Sequence, residues 1–436
     1  MFINSKERLE TVLTAQQEFS ELRGLPVPEE FYRSKISECW ARAQAAPAYR
    51  DLGRYSWEAF TALPPTTKDR LKADPWDFVA APLAQSAKYY ETTGTTGRPT
   101  PTPRLVQDIV WNAVSVANAW GDVIGPEDRV LSLLPSDVVP VGDLVVSVCE
   151  YLDVPVARGY PFATGISDWD RVASLIASFE PTVLFLAPGV ALQATGLYLK
   201  RGHLKDLSRS VRSMMLLGEV CVPALRDRLG QWWGARAHDA SYGSTETGTL
   251  AATCGAGRLH LLTGANYFEI ADDAGLRPLT GQDTGRLVVT PLNLYARPLL
   301  RFDTGDQVSI SDSCDCERGT PVVTVHGRST DGLAIAGTVL SPRLVEEIVY
   351  SQTPALGYLV ETDRDGGRFR LLLERSPDAD RDAEPATTAA VLEAFVDRTG
   401  LLCDQVLFVN TLPSISKSGG SLKSWKRSNI RVVDQW

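Results

Sequence analysis

Nowhere in the 436 residues does an apolar stretch reach the ~20 needed to cross a bilayer. The opening segment Met1–Glu7 lacks the apolar core of a secretory signal. Long runs of Lys or Arg are missing too, and the formal net charge is -9, so neither a membrane nor a nucleic-acid backbone is an expected partner. A local basic pocket for a nucleotide remains compatible with that charge. The seven cysteines form an odd set that cannot pair completely. Together these absences lead us to expect a cytoplasmic protein with reduced thiols, most of them buried as small hydrophobes. Internal repeats and long low-complexity tracts are also absent. What is present is ordinary for a globular chain, 44% apolar and 22% charged residues. The length suits one large domain plus a smaller one.

The first hundred residues have the texture of helices broken by turns, with helical spacing from Phe31 to Ala45 and a break at Leu63–Lys68. Short apolar runs at Val130–Leu134, Val154–Val156 and Thr182–Leu186 then alternate with helical stretches at Trp169–Phe179 and Val222–Trp232. Strands alternating with helices predict an α/β fold with a largely parallel sheet. From about 255 to 326 the pattern turns to short β segments with Gly and Asp turns, as in Gly285–Thr290 and Val322–Val325, which predicts an antiparallel β subdomain. The expected boundary lies at Gly327–Gly332, dividing a large domain, 1–327, from a small α+β domain, 328–436. Within the latter, Pro377–Pro385 reads as a solvated loop.

Tyr90-Glu91-Thr92-Thr93-Gly94-Thr95-Thr96-Gly97-Arg98-Pro99 concentrates glycine and hydroxyl groups in one loop. Such a loop can wrap a polyphosphate, because glycine allows close backbone approach and the N–H donors are satisfied by the anion. It lacks the Gly-Lys-Ser/Thr ending of a P-loop, and by itself it is equally readable as an ordinary turn.

This segment resembles the signature loop of the adenylate-forming superfamily of acyl-CoA synthetases, peptide-synthetase adenylation domains and luciferases. Further matches follow in the order of that superfamily: Gly218-Glu219, then Asp239-Ala240-Ser241-Tyr242-Gly243-Ser244-Thr245-Glu246, then Arg301–Asp306 with its Thr-Gly-Asp, then Gly327-Arg328. Ala46–Arg50 and Leu63–Leu71 are similar to the phenylacetate-CoA ligase branch, so the resemblance covers nearly the whole chain.

The resemblance implies ATP as cosubstrate and an acyl-AMP intermediate, with roles for particular residues. Thr92, Thr93, Gly94, Thr95, Thr96 and Gly97 would hold phosphate. Gly218, Glu219, Asp239, Ser241, Tyr242 and Gly243 would surround adenine, with Tyr242 stacking on it. Thr245 would bind the α-phosphate, and Glu246 would ligate magnesium, a hard cation that prefers carboxylate oxygen. Asp306 would accept from the ribose hydroxyls, assisted by Arg328 at the interdomain hinge. The superfamily's mobile catalytic lysine is expected at Lys423, with Lys417 as the rival, because the usual Gly-Lys pair is replaced by Gly419-Gly420. The hinge also departs from the branch, with Thr330-Asp331 where two acidic residues are usual.

Cys254, His260, Cys314 and Cys316 offer three thiolates and an imidazole, a donor set that suits a closed structural zinc site. The branch often carries a similar set. The alternative is a group of reduced, partly buried cysteines with a hydrogen-bonded histidine.

A substrate pocket is expected along Val141, Gly142, Asp143 and along Ala187, Pro188, Gly189. Asp143 is either a partner for a substrate amino or hydroxyl group or a cap on a helix Leu144–Tyr151. The leading expectation is activation of a small-molecule carboxylic acid, aryl or amino-substituted, followed by transfer to the thiol of coenzyme A or of phosphopantetheine on an acyl carrier protein. An adenylating ligase with a non-thiol acceptor and a non-catalytic nucleotide-binding homologue remain open. So does assembly as a homodimer.

Overall fold

The computed structural model describes residues 5–92, 99–219, 221–328, 332–413 and 429–433. Helices and sheets alternate as an α/β fold requires, and the chain gathers into two compact units. One holds residues 1–130, 134–157 and 239–327; the other holds 131–133, 158–238 and 328–436.

In the first unit an eight-stranded sheet runs, in spatial order, Gly275–Pro278, Asn266–Asp272, Asp283–Pro291, Phe302–Ser311, Val322–Arg328, Leu259–Leu261, Gly248–Thr253, Ser241–Ser244. Gly275–Pro278, Asn266–Asp272, Asp283–Pro291 and Phe302–Ser311 pair antiparallel in succession, as do Leu259–Leu261, Gly248–Thr253 and Ser241–Ser244, so short turns suffice to connect these neighbours. Along Phe302–Ser311 the buried residues Phe302, Thr304, Val308 and Ile310 fall two apart where the strand is regular, which puts them on one face. That face packs against the N-terminal helices. In Glu29–Ala43 the buried positions Ile36, Cys39, Trp40 and Ala43 follow helical spacing. Phe60 of Trp57–Ala62 and Leu71 of Lys68–Ala73 enter the same core. Each fully buried side chain of this size contributes roughly 1.5–3 kcal/mol. These one-and-a-half-turn helices start where a hydroxyl takes an otherwise orphaned donor: Ser56 accepts from Ala59 N–H at 3.1 Å and Thr67 from Arg70 N–H at 3.3 Å. Lys6–Glu21 docks on Val106–Trp120 through an edge-to-face contact of Phe19 with Trp111, centroids 5.6 Å apart.

The second unit holds the strands Val183–Leu186, Ser213–Leu216 and Arg236–Asp239, neighbours in that order in one sheet. Val183–Leu186 and Ser213–Leu216 are parallel and buried at every residue, which is why Val183–Leu186 reads as an unbroken apolar run. Helices Trp169–Phe179, Pro188–Lys200 and Pro223–Trp233 accompany it. Residues 332–433 supply a four-stranded sheet, ordered Gln405–Val409, Phe369–Glu374, Gly357–Thr362, Ile430–Val432, with helices Pro342–Gln352 and Glu384–Thr399. Within this unit Glu347 accepts from Ala224 N–H at 3.2 Å, Arg228 donates to Tyr350 O at 3.4 Å, and Lys200 pairs with Glu374 at 2.8 Å.

Two local expectations are corrected. The helix expected from Leu144 starts at Val141, so Asp143 lies inside its first turn and is not its cap; Pro140 precedes the helix and no side chain caps it. The loop expected over Pro377–Pro385 ends early, because Pro385 sits in the first turn of Glu384–Thr399, where a missing N–H costs nothing. Among the described residues no helix is long and apolar enough to cross a membrane.

Candidate active site

Thr92 and Thr100 close the neck of the Thr/Gly loop. Thr92 N–H donates to Thr100 O at 3.1 Å, and Thr100 N–H donates to the Thr92 hydroxyl at 2.9 Å. Thr93, Gly94, Thr95, Thr96 and Gly97 lie outside the described residues, as do Lys417, Lys423, Thr330 and Asp331.

Ser241–Ser244 brings Tyr242 to the sheet edge, and the following turn carries Thr245 and Glu246. Gly243 is required here: a Cβ would stand 2.3 Å from Gly248 O. Ser244 steadies the turn by accepting from Thr247 N–H at 3.2 Å. The neighbouring Thr304-Gly305-Asp306 segment is fixed by its own side chains. Asp303 accepts from Gly305 N–H at 2.9 Å, Thr304 Oγ1 accepts from Asp306 N–H at 3.1 Å, and Gly305 adopts φ +73°. The result is that Tyr242 OH donates to Asp306 Oδ2 at 2.7 Å, which joins the expected adenine-stacking ring to the expected ribose acceptor.

Glu246 is buried, 3% exposed. Burial works to raise its carboxyl pKa, but Lys68, its own backbone N–H, Arg297 and the Ser244 hydroxyl together hold it below the usual carboxylate range. Lys68 Nζ lies 3.9 Å from Oε1. Arg104 Nη2 donates to Thr245 O at 2.7 Å and Glu246 O at 3.0 Å. A carboxylate kept ionised beside the neck of a hydroxyl-rich loop is chemically suited to a magnesium–polyphosphate complex.

Sequence reasoning gave no role to Lys68, Arg104 or Arg297. Lys68 stands in a segment quoted only for its resemblance. Arg104 was legible in principle, since Thr100, Thr102 and Arg104 alternate onto one buried face. Arg297, between Ala296 and Pro298, carries no local signal.

Val141, Gly142 and Asp143 form the first turn of Val141–Tyr151. Gly142 packs so closely that a Cβ would meet Ser136 Oγ at 2.3 Å. Asp143 Oδ2 accepts from Lys88 Nζ at 2.6 Å and from Tyr90 OH at 2.9 Å. In the second unit Ala187, Pro188 and Gly189 turn from the strand Val183–Leu186 into the helix Pro188–Lys200 and are all buried. There too, Gly218 follows Ser213–Leu216 with φ +93°, a conformation that favours glycine, and Glu219 comes next. Asp239 closes the strand Arg236–Asp239, Ser241 opens Ser241–Ser244, and Arg328 ends Val322–Arg328 just after Gly327 at φ +91°.

On the first unit's sheet, Cys254, His260, Cys314 and Cys316 converge, with one donor atom from each and all four within 4.8 Å of one another. Cys254 and Cys314 Sγ are 3.8 Å apart, and Cys316 Sγ is 3.2 Å from His260 Nε2. Two thiolates on one tetrahedral zinc stand about 3.8 Å apart by bond length and angle, so the donors fit that ion. His260 Nδ1 lies 2.7 Å from Thr320 O, an acceptor that puts the ring proton on Nδ1 and leaves Nε2 for a metal. Burial raises the Cys254 thiol pKa, but His260 and the backbone N–H groups of Arg258 and Ala256 outweigh it and bring the thiol down to about 6. Burial and the adjoining Cys314 and Cys254 push Cys316 up to about 12.

Residues 89–294 match the family model described as AMP-binding enzyme. The phenylacetate-coenzyme A ligases of Thermus thermophilus and Escherichia coli are 26% and 27% identical to the chain, over 73% and 70% of it and 70% and 69% of their own lengths. Residues 89–294 belong to the AMP-binding enzymes of the adenylate-forming superfamily. Among solved structures, 2-hydroxyisobutyryl-CoA ligase in the postadenylation state, in complex with 2-HIB-AMP, shares the fold. Its TM-score is 0.73 at 18% identity, across 99% of this chain and 89% of that one. This adenylate-forming ligase is of the acid–thiol type and works through an acyl-AMP.

Proposed function

We propose that this ligase activates an aryl or amino-substituted carboxylic acid as its acyl-AMP and passes the acyl group to coenzyme A or a carrier-protein phosphopantetheine. The observation that carries the nucleotide half is the convergence of Tyr242, Asp306 and an ionised Glu246 in one unit. Tyr242 stacks on adenine, Asp306 accepts from the ribose, and Thr245 with the loop Thr92–Gly97 holds the phosphates. Glu246 would hold magnesium, which supplies charge neutralisation as the acid's carboxylate attacks the α-phosphorus and pyrophosphate leaves. Residues 328–436 would serve as the lid, with Arg328 at its hinge and Lys423, or its rival Lys417, steadying the developing charge.

Asp143 supports the substrate class. Lys88 already balances its charge, so its carboxylate is better suited to accept from a neutral arylamine N–H or hydroxyl than to pair with an ammonium ion. Coenzyme A as acceptor is supported by the phenylacetate-coenzyme A ligase relatives. An ATP–pyrophosphate exchange screen tests the reading. Aryl acids with a neutral N–H or O–H donor should exchange at least ~10-fold faster than their unsubstituted parents, a gain on the scale of one satisfied hydrogen bond. Exchange with no carboxylic acid would sink the proposal, and product analysis with coenzyme A and carrier protein identifies the acceptor. Exchange should also be lost in Lys423→Ala; loss in Lys417→Ala alone would assign the lysine to the rival position.

The four-donor site is proposed to hold structural zinc, since three thiolates and one imidazole leave no open position. Purified protein should contain about one equivalent, reduced in Cys316→Ser; less than about a tenth of an equivalent would remove the assignment.

A further inference from the structure

Between the neck of the Thr/Gly loop and the Thr245–Glu246 turn, the first unit buries two arginines whose hydrogen bonding is incomplete. Arg297 is 0% exposed and Arg104 is 7% exposed. Arg297 donates through Nη1 to Pro101 O, the residue after Thr100 at the loop neck, yet its Nε and Nη2 find no partner among the described residues. Arg104 binds the Thr245 and Glu246 carbonyls through Nη2, while its Nη1 is likewise unpartnered. Asp108, the nearby carboxylate, is engaged by the backbone N–H groups of Leu105, Tyr295 and Ala296. Among the described residues the carboxylates that act on Arg104 and Arg297 are Asp108 and Glu246, and Glu246 also faces Lys68.

Such an arrangement is poor for stability. Burial, with the like charge of Arg104 adding to it, pulls the Arg297 pKa down to about 9. Unlike one half of a matched buried pair, Arg297 has burial and Arg104 outweighing the carboxylates around it, so its charge disfavours folding and its removal need not cost stability. What it supplies is a fixed positive potential in a low-dielectric interior, between the loop neck at Pro101 and the Thr245–Glu246 turn.

We propose that Arg297, backed by Arg104, is a positioning residue for the nucleotide's polyphosphate. It ties down the strand leaving the loop through the Pro101 carbonyl and favours the anion by its buried charge, without touching it. The inference rests on reading this region as the nucleotide site.

Calorimetric titration of the full chain with ATP, inorganic pyrophosphate and adenosine, in the absence of any carboxylic acid, tests it. Arg297→Met should bind ATP and pyrophosphate about tenfold more weakly, the effect of one buried charge at moderate range, while adenosine binding changes less than about twofold. Its melting temperature should not fall below the parent's. Arg297→Lys, which keeps the charge, should return to within about threefold of the parent. If the methionine variant does not fold, Arg297→Gln, which removes the charge but keeps a polar head, bears the same expectation. An unchanged ratio of ATP to adenosine affinity, or adenosine binding that weakens in step with ATP, would overturn the proposal. A parent protein that binds ATP no better than adenosine would instead refute the reading of the region as a nucleotide site.

Discussion

Arg301→Met should lower unfolding stability by about 3–5 kcal/mol, the usual consequence of removing one partner of a buried ion pair. Arg301 and Glu269 are 4% and 1% exposed. They meet in a two-pronged contact, Nη2 to Oε1 at 2.7 Å and Nε to Oε2 at 3.0 Å. The remaining guanidinium nitrogen donates to Leu63 O at 2.6 Å and to Thr61 O. The backbone is equally committed. Arg301 sits at φ +47°, donates to Thr290 Oγ1 at 2.9 Å and accepts from Thr66 N–H at 2.9 Å. Methionine would leave Glu269 charged and dry. Denaturant titration measures the effect, and the double variant Arg301→Met, Glu269→Leu should recover much of the loss. A single-variant change under about 1 kcal/mol would contradict the expectation. The damage should also reach activity, since Phe302–Asp306 begins at the next residue.

Glu246→Gln should reduce ATP–pyrophosphate exchange by about 10²–10³-fold, the scale of removing one preorganised electrostatic group from a reaction centre. The cost in stability should be modest, about 1–2 kcal/mol, because Lys68 and Arg297 lose a counter-charge while the amide keeps the shape of the turn and the Arg104 contacts are to backbone carbonyls. A melting temperature within a few degrees of the parent would accompany that loss. Exchange retained within about threefold would exclude Glu246 as the metal ligand.

The segments expected to meet the nucleotide were legible as segments, because their residues lie in short stretches whose spacing survives as sequence pattern. Tyr242 and Asp306 are far apart in sequence, yet each sits in its own recognisable turn, and the fold needs only one sheet to bring them together. The four metal-type ligands were legible by residue type and are in fact clustered, although nothing in their spacing said that two loops about sixty residues apart would meet. Arg297 was not legible, since a buried arginine looks the same in sequence as an exposed one. The Lys88–Asp143 pair was missed for a related reason: it joins a strand to a helix turn and has no periodicity. The helix start at Val141 was misplaced because Pro140 and Gly142 signal a turn by local propensity, whereas Gly142 is there for a close approach to Ser136 and Pro135.

The second unit interleaves residues 158–238 with 328–436, and that has a practical consequence. Glu347 sits on the Ala224 N–H at the start of Pro223–Trp233, Tyr350 takes Arg228, and Leu356 covers Gly196. A chain cut after Gly327 would therefore not be a trimmed enzyme with a clean edge. It would bare the flank of two helices to water, and surface of that kind favours self-association. Were the C-terminal segment to swing as proposed, it would have to break the same contacts, and Glu347→Gln, which weakens one of them, touches none of the residues assigned to the nucleotide.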